Sequence, residues 1–191
     1  MDKNYWNSRY EKQETGWDIG FISTPLKEYI SQLSNKHIAI LIPGCGNAYE
    51  AEYLLQQGFT NVTLIDIAPV AIATVSKKLK DFAGNQLRII EGNFFDLDET
   101  FDIIIEQTFF CALQPALRKS YADKMFDLLN KDGKIVGLLF NRSFEGGPPF
   151  GGSKEEYVQL FGSKFIIELM DDCYNSIAPR AGSELFFILK K

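Results

Sequence analysis

A chain of 191 residues with 46% hydrophobic and 14% aromatic content can bury one good core and reads as a single domain, 1–191. Lys and Arg total 20 against 25 Asp and Glu, a formal charge of −5, which argues against a surface that grips nucleic acid and for a small-molecule substrate. Met1 to Trp6 carries no apolar signal region and no run approaches the roughly 18 apolar residues of a membrane span, so a cytoplasmic protein without membrane partners, most simply a monomer, is expected.

Residues 1–35 are aromatic and charged, with a short helix predicted near Tyr5 to Lys12 and another after Pro25, where Leu26, Tyr29, Ile30 and Leu33 recur at helical spacing. This segment reads as a cover, or lid, ahead of the first strand. An alternation follows: strand 38–42, helix 47–57, strand 61–67, helix 69–81, strand 86–91, strand 101–106, helix 115–130 and strand 134–140. In helix 115–130 the residues Leu117, Tyr121, Met125, Leu128 and Leu129 form one stripe, with Gly133 as the turn residue beyond it. A short helix comes after Gly151-Gly152, then two apolar runs, Phe165 to Met170 and Leu185 to Leu189, joined by a loop with Pro179 and Gly182. With only a loop between them these runs can pair only antiparallel. The expected fold class is α/β: a Rossmann-like three-layer sandwich of the class I methyltransferase kind, with a mostly parallel seven-stranded sheet and a C-terminal antiparallel pair.

Ligands of open α/β sheets sit outside the carboxyl ends of the strands, so the residues just after each strand are the candidates. The first strand ends in Pro43-Gly44-Cys45-Gly46, a tight Gly-x-Gly turn whose backbone can approach the amino-acid half of a nucleoside cofactor. The second ends on Asp66, about twenty residues on, where a carboxylate can take both ribose hydroxyls or else cap the helix at Pro69. A dinucleotide fingerprint would place its third glycine at Tyr49, and no Lys or Arg lies between Pro43 and Thr60 to meet phosphate. A cofactor with a ribose and no phosphate fits better, and S-adenosylmethionine, giving S-adenosylhomocysteine, is the common one. After the third strand Asn93 can face the adenine amino group and Phe94 can pack on the ring, or the aromatics can be a plain core turn. After the fourth strand comes Glu106, a further candidate cofactor contact, opening a run to Pro115 that lacks the Asn/Asp-Pro-Pro-aromatic motif of enzymes that methylate base amino groups. Pro148-Pro149-Phe150 follows the fifth strand, either as a rigid wall of a substrate pocket or as a surface turn. Cys45, Cys111 and Cys173 are odd in number and show no metal or redox spacing, so no metal is expected.

Taken together these segments resemble the thiopurine S-methyltransferase family, most closely its branch of halide and thiol methyltransferases. The resemblance runs through Tyr5-Trp6, Thr15-Gly16-Trp17-Asp18, Pro43-Gly44-Cys45-Gly46, Asp66, Gly92-Asn93-Phe94-Phe95, Phe109 to Pro115, Arg118, Tyr121-Ala122 and Gly146-Gly147-Pro148-Pro149. It implies cofactor or substrate roles for Trp6, Trp17, Gly44, Asp66 and Arg118. The family usually has Asp where Asn93 stands, and an amide oxygen still accepts as a carboxylate does. Its animal thiopurine enzymes carry Glu at Asp66 and Phe at Trp17, so the resemblance does not by itself name thiopurine as the acceptor.

The expected chemistry is methyl transfer to a small sulfur or halide nucleophile: thiol, thiopurine, thiocyanate or halide. Alignment of nucleophile, methyl and leaving sulfur carries such a displacement. The single histidine, His37, stands at the entry of the first strand and reads as an edge residue. An oxygen or nitrogen acceptor, which usually wants a base, is the alternative within the class. Outside it stand a nicotinamide oxidoreductase, disfavoured by Tyr49, and a cofactor-binding protein without catalysis. Trp17, Phe21, Phe109 and Phe110 are candidates to hold the sulfonium by cation–π attraction, with core packing the competing role of the last two. Arg118, in the first turn of helix 115–130, is the candidate catalytic residue: its planar fork suits an anionic acceptor or a carboxylate of the lid, unless it is a solvated helix residue.

Overall fold

The computed structural model describes residues 1–191 and divides into two compact units, Met1–Leu97 and Asp98–Lys191. The first holds α1 (Lys3–Glu11), α2 (Thr24–Ser31), β1 (Ile40–Pro43), α3 (Tyr49–Gln56), β2 (Val62–Asp66), α4 (Pro69–Lys78) and β3 (Leu87–Glu91). β2 pairs in parallel with β1 on one side and β3 on the other, with Pro43 opposite Ile65 and Asp66 opposite Glu91. Every residue of β1 and β2 is buried, which is why these runs read as continuously apolar rather than alternating. The helix ends are written in short polar residues and prolines. Asp2 caps α1 by accepting from the Tyr5 N–H at 3.0 Å, while Pro25 and Pro69 sit in first turns, where a missing N–H is harmless.

The second unit holds β4 (Phe101–Gln107), α5 (Arg118–Asp127), β5 (Leu129–Phe140), α6 (Lys154–Phe161), β6 (Ile166–Asp172) and β7 (Glu184–Lys190). β4 and β5 are parallel; β7 runs antiparallel to β5, with Val136 opposite Ile188, and antiparallel to β6, with Met170 opposite Phe187. The strand order is β3-β2-β1-β4-β5-β7-β6 in a seven-stranded sheet, so the expected fold class holds, C-terminal antiparallel pair included. β6 is the outer strand of its unit, and Ile166 is left exposed on it. α6 opens with a capping box, in which Ser153 and Glu156 each accept the other's backbone N–H at 3.3 Å.

Helix 115–130 comes out differently. Pro115–Leu117 is a separate 3₁₀ turn, α5 runs only over Arg118–Asp127, and Leu129 already belongs to β5. The apolar stripe continued past the helix because Leu128 and Leu129 are buried whichever element holds them. The turn assigned to Gly133 is instead a bulge inside β5: Phe101 pairs with Leu129 and Ile103 with Lys134, and Asp132 takes a left-handed φ of 62°.

Candidate active site

In the first unit, the chain leaves β1 through a turn that only glycine makes easily. Gly44 and Gly46 adopt φ of 57° and 50°, and the left-handed Ala48 launches α3. Asp66, at the end of β2, reaches back to this turn. Its Oδ2 accepts from the Gly46 N–H at 3.0 Å and its Oδ1 from the Ala68 N–H at 2.9 Å. Each oxygen keeps a further lone pair for a hydroxyl donor. Burial pushes the Asp66 carboxyl up, and the amides of Ala68, Gly46 and Ile67 pull it back. Cys45 is buried in the same turn, with its thiol pushed well up by desolvation and then by the neighbouring Asp66 charge. It is a packed thiol. Pro43, Gly44, Cys45, Gly46 and Asp66 are thus gathered as the spacing predicted.

The cover segment lies on this turn. Trp17 is ringed by Trp6 at 5.6 Å and Tyr10 at 5.7 Å, both edge to face. Asn7 accepts the Val70 N–H at 3.0 Å, tying α1 to the first turn of α4. Asp18 accepts from the Asn47 amide and, at 3.3 Å, from the Tyr49 hydroxyl, while its other oxygen takes the Gly20 N–H at 2.8 Å. Tyr49 therefore does more than displace a third glycine: it helps anchor the cover. Tyr10 is a residue that sequence reasoning passed over. Its hydroxyl lies so close to Gly46 that a Cβ there would stand 3.0 Å from it, and burial together with the Asp66 charge raises its pKa. Spacing four beyond Trp6 in a predicted helix was the available signal. Phe21, by contrast, is 54% exposed.

After β3 only one of the two adjacent aromatics keeps surface. Phe94 turns into the core and Phe95 keeps surface, so the adenine-packing role assigned to Phe94 is corrected: a ring with 4% exposure has no free face to offer. Asn93 is exposed, its Oδ1 capping the short 3₁₀ turn through the Phe95 N–H at 3.2 Å.

In the second unit Glu106 also needs correction. Expected to touch cofactor, it is fully buried: Oε1 accepts the Phe109 and Phe110 amides at 2.8 and 3.0 Å and Oε2 accepts the Tyr121 hydroxyl at 2.7 Å. Desolvation pushes its carboxyl up to about 7 against the pull of those three donors. It holds the turn after β4. Phe110 is core as well, with Tyr121 at 5.0 Å, Tyr157 at 5.6 Å and Phe161 at 5.9 Å around it, which removes it from the substrate wall. Phe109 stays half-buried and Pro149 exposed. The loop carrying Pro149 is fastened to the turn after β4, since the Phe150 N–H donates to Cys111 O at 2.7 Å.

Arg118 completes that fastening. Its Nη2 donates to Gly151 O at 2.5 Å, its guanidinium lies 5.0 Å from the Phe110 ring centre, and Nη1 is 3.7 Å from Glu156. The carboxylate near it is thus one from α6. Lysine can reach one carbonyl yet cannot lie flat on a ring. Arg118→Lys should therefore keep the fold, speed hydrogen exchange at the Phe150 amide and lower turnover about 10- to 100-fold, as loop misplacement does. Wild-type exchange and kinetics in Arg118→Ala would show the residue to be mere surface.

A left-handed Gly-x-Gly turn, an acidic residue closing on it from the next strand, and a sheet that ends in an antiparallel strand pair define a class I S-adenosylmethionine-dependent methyltransferase. Solved structures agree on the fold. A Burkholderia thailandensis 1,6-didemethyltoxoflavin-N1-methyltransferase with bound S-adenosylhomocysteine matches with a TM-score of 0.78 at 19% identity, covering 99% of this chain and 86% of that one. Magnesium protoporphyrin IX methyltransferase from Synechocystis PCC 6803 with bound S-adenosylmethionine matches at 0.77 and 13%, covering 99% and 94%. The chain belongs to the thiopurine S-methyltransferase family, whose profile matches residues 1–185. It is 30% identical to "Probable thiol methyltransferase 2" of Arabidopsis thaliana over 94% of this chain and 81% of the relative. It is 29% identical to "Thiocyanate methyltransferase 1" of the same plant, over 96% and 83%, and 23% identical to "Thiopurine S-methyltransferase" of Acinetobacter baylyi, over 90% and 89%. It is an S-adenosylmethionine-dependent S-methyltransferase. No helix is long and apolar enough to cross a membrane.

Proposed function

We propose that this enzyme methylates small, soft anions, namely thiolates, bisulfide, thiocyanate or halides, and acts as a cytoplasmic monomer without nucleic-acid partners. The observation that carries the reading is the placing of two candidate bases, the single histidine and the most buried carboxylate of the second unit. His37 sits before β1, at the end opposite the glycine turn, with Nδ1 on the Thr60 hydroxyl at 2.9 Å, and Glu106 is locked among three donors. Neither is free to take a proton from an alcohol or amine. Nucleophiles that are already anionic need none taken.

The residues present fit the cofactor. Asp66 has lone pairs for two ribose hydroxyls, the Gly44–Gly46 turn offers backbone without side chains, and Asn93 stands where an adenine amide contact is expected. S-adenosylmethionine supplies, when bound, a methyl group on a positively charged sulfur. Trp6 and Trp17, with Tyr10, exclude water and give that charge an aromatic face, and the tethered cover acts as the lid. Within the second unit Phe109 and Pro149 are the candidate acceptor contacts, and Arg118 keeps their turn and loop together.

Incubation with radiolabelled S-adenosylmethionine and a panel of thiols, iodide, thiocyanate, thiopurines, catechols and amines tests this. With a thiol, the rate should climb with pH as the acceptor itself ionises, about tenfold per unit below its pKa. Catechols or amines outpacing every sulfur compound and halide would overturn the reading.

A further inference from the structure

We infer that Arg9 is a recognition residue for the carboxylate of the cofactor's amino-acid half, an assignment that rests on the cofactor reading above. The methionyl carboxylate of S-adenosylmethionine carries a full negative charge, yet residues 43–60 hold neither Lys nor Arg. Any cation that meets it therefore comes from another part of the chain. Lys78 is committed, with Nζ 2.7 Å from Glu52, 3.3 Å from Asn47 O and set over the Tyr49 ring.

Arg9 is placed differently. It sits on α1 beside Tyr10, whose hydroxyl touches the Gly46 turn, and its guanidinium packs at 5.9 Å on the same Trp17 ring that Tyr10 and Trp6 flank. Nη1 is held by Glu14 at 3.2 Å. Nε, however, is buried and has no hydrogen-bond partner. Arg118 Nε, packed over Phe110, is the other buried side-chain donor left so, and each such atom calls for an explanation because water is lost and nothing replaces it. The Nε side of a guanidinium is also the edge that grips a carboxylate with two parallel N–H bonds. An unpaired fork edge on the cover, beside the turn expected to receive an amino acid, matches that ligand group in charge and shape. Glu14, holding the opposite end, leaves this edge free and fixes the plane of the fork.

The test compares two ligands that differ in the amino-acid arm bearing this group. Calorimetric Kd values for S-adenosylhomocysteine, which has the carboxylate, and 5′-methylthioadenosine, which lacks it, are measured on wild type, Arg9→Gln and Arg9→Lys. Arg9→Gln should weaken S-adenosylhomocysteine about 10- to 100-fold and leave methylthioadenosine within twofold, while Arg9→Lys recovers part of the loss. Equal losses for both ligands would overturn the inference, leaving Arg9 as packing for Trp17, and so would unchanged affinity for both. If wild type bound neither ligand, the cofactor reading itself would fall, an outcome distinct from either.

Discussion

Asp66→Ala is expected to weaken S-adenosylhomocysteine by about 2–4 kcal/mol, because a charge-assisted pair of ribose contacts disappears. The substitution also strips the Gly46 and Ala68 amides of their acceptor, so part of the loss comes from a loosened glycine turn. Asp66→Asn separates the two contributions. It keeps one acceptor oxygen and presents an NH₂ where the second oxygen stood, so it should lie between wild type and alanine. Calorimetry, with circular dichroism to verify the fold, decides it. Unchanged affinity in Asp66→Ala would remove the ribose assignment.

The second large effect is on stability. Glu106→Ala should cost about 3–5 kcal/mol in urea unfolding, since the Phe109 and Phe110 amides and the Tyr121 hydroxyl are left buried without their acceptor and a cavity opens beside Phe110. Glu106→Gln retains an acceptor for both amides and should be far milder. The two also separate by pH. The folded carboxyl titrates near 7, above its unfolded value of about 4.3, so the stability it contributes is complete below about pH 4 and is lost as pH rises through 7. Wild type should therefore lose about 2–3 kcal/mol relative to Glu106→Gln between pH 5 and 8. Parallel pH profiles for the two proteins would show that the folded Glu106 carboxyl is not raised and stays ionised throughout this range.

The cofactor half of the site was legible in the sequence because its residues act through the backbone path. Glycines at 44 and 46 mark a left-handed turn and Asp66 ends a buried strand, so spacing alone brings them together. Facing was not legible. Phe94 and Phe95 are adjacent aromatics in a 3₁₀ turn, where no periodicity says which one enters the core. Glu106 was taken for a ligand contact because it ends a strand, although Tyr121, on the predicted helix stripe, had a hydroxyl needing a buried acceptor. Asp18, Asn47 and Tyr49 form a tether spread over 31 residues, beyond the reach of any local pattern. Likewise, two apolar runs joined by a loop give no hint of which lies inside, and it is the later one, β7.

That placing of β7 bears on the order in which the molecule assembles. β6 leaves the ribosome ahead of β7 yet has no seat on β5 until β7 intervenes, so it must wait for its neighbour. Only residues 173–183 separate the two, which lets them zip as a hairpin before docking on β5 as one piece, at small loop-closure cost. β6 and β7 are then expected to gain and lose amide protection together in hydrogen exchange, as a cooperative unit spanning residues 166–190 that opens while the parallel pair β4–β5 stays closed.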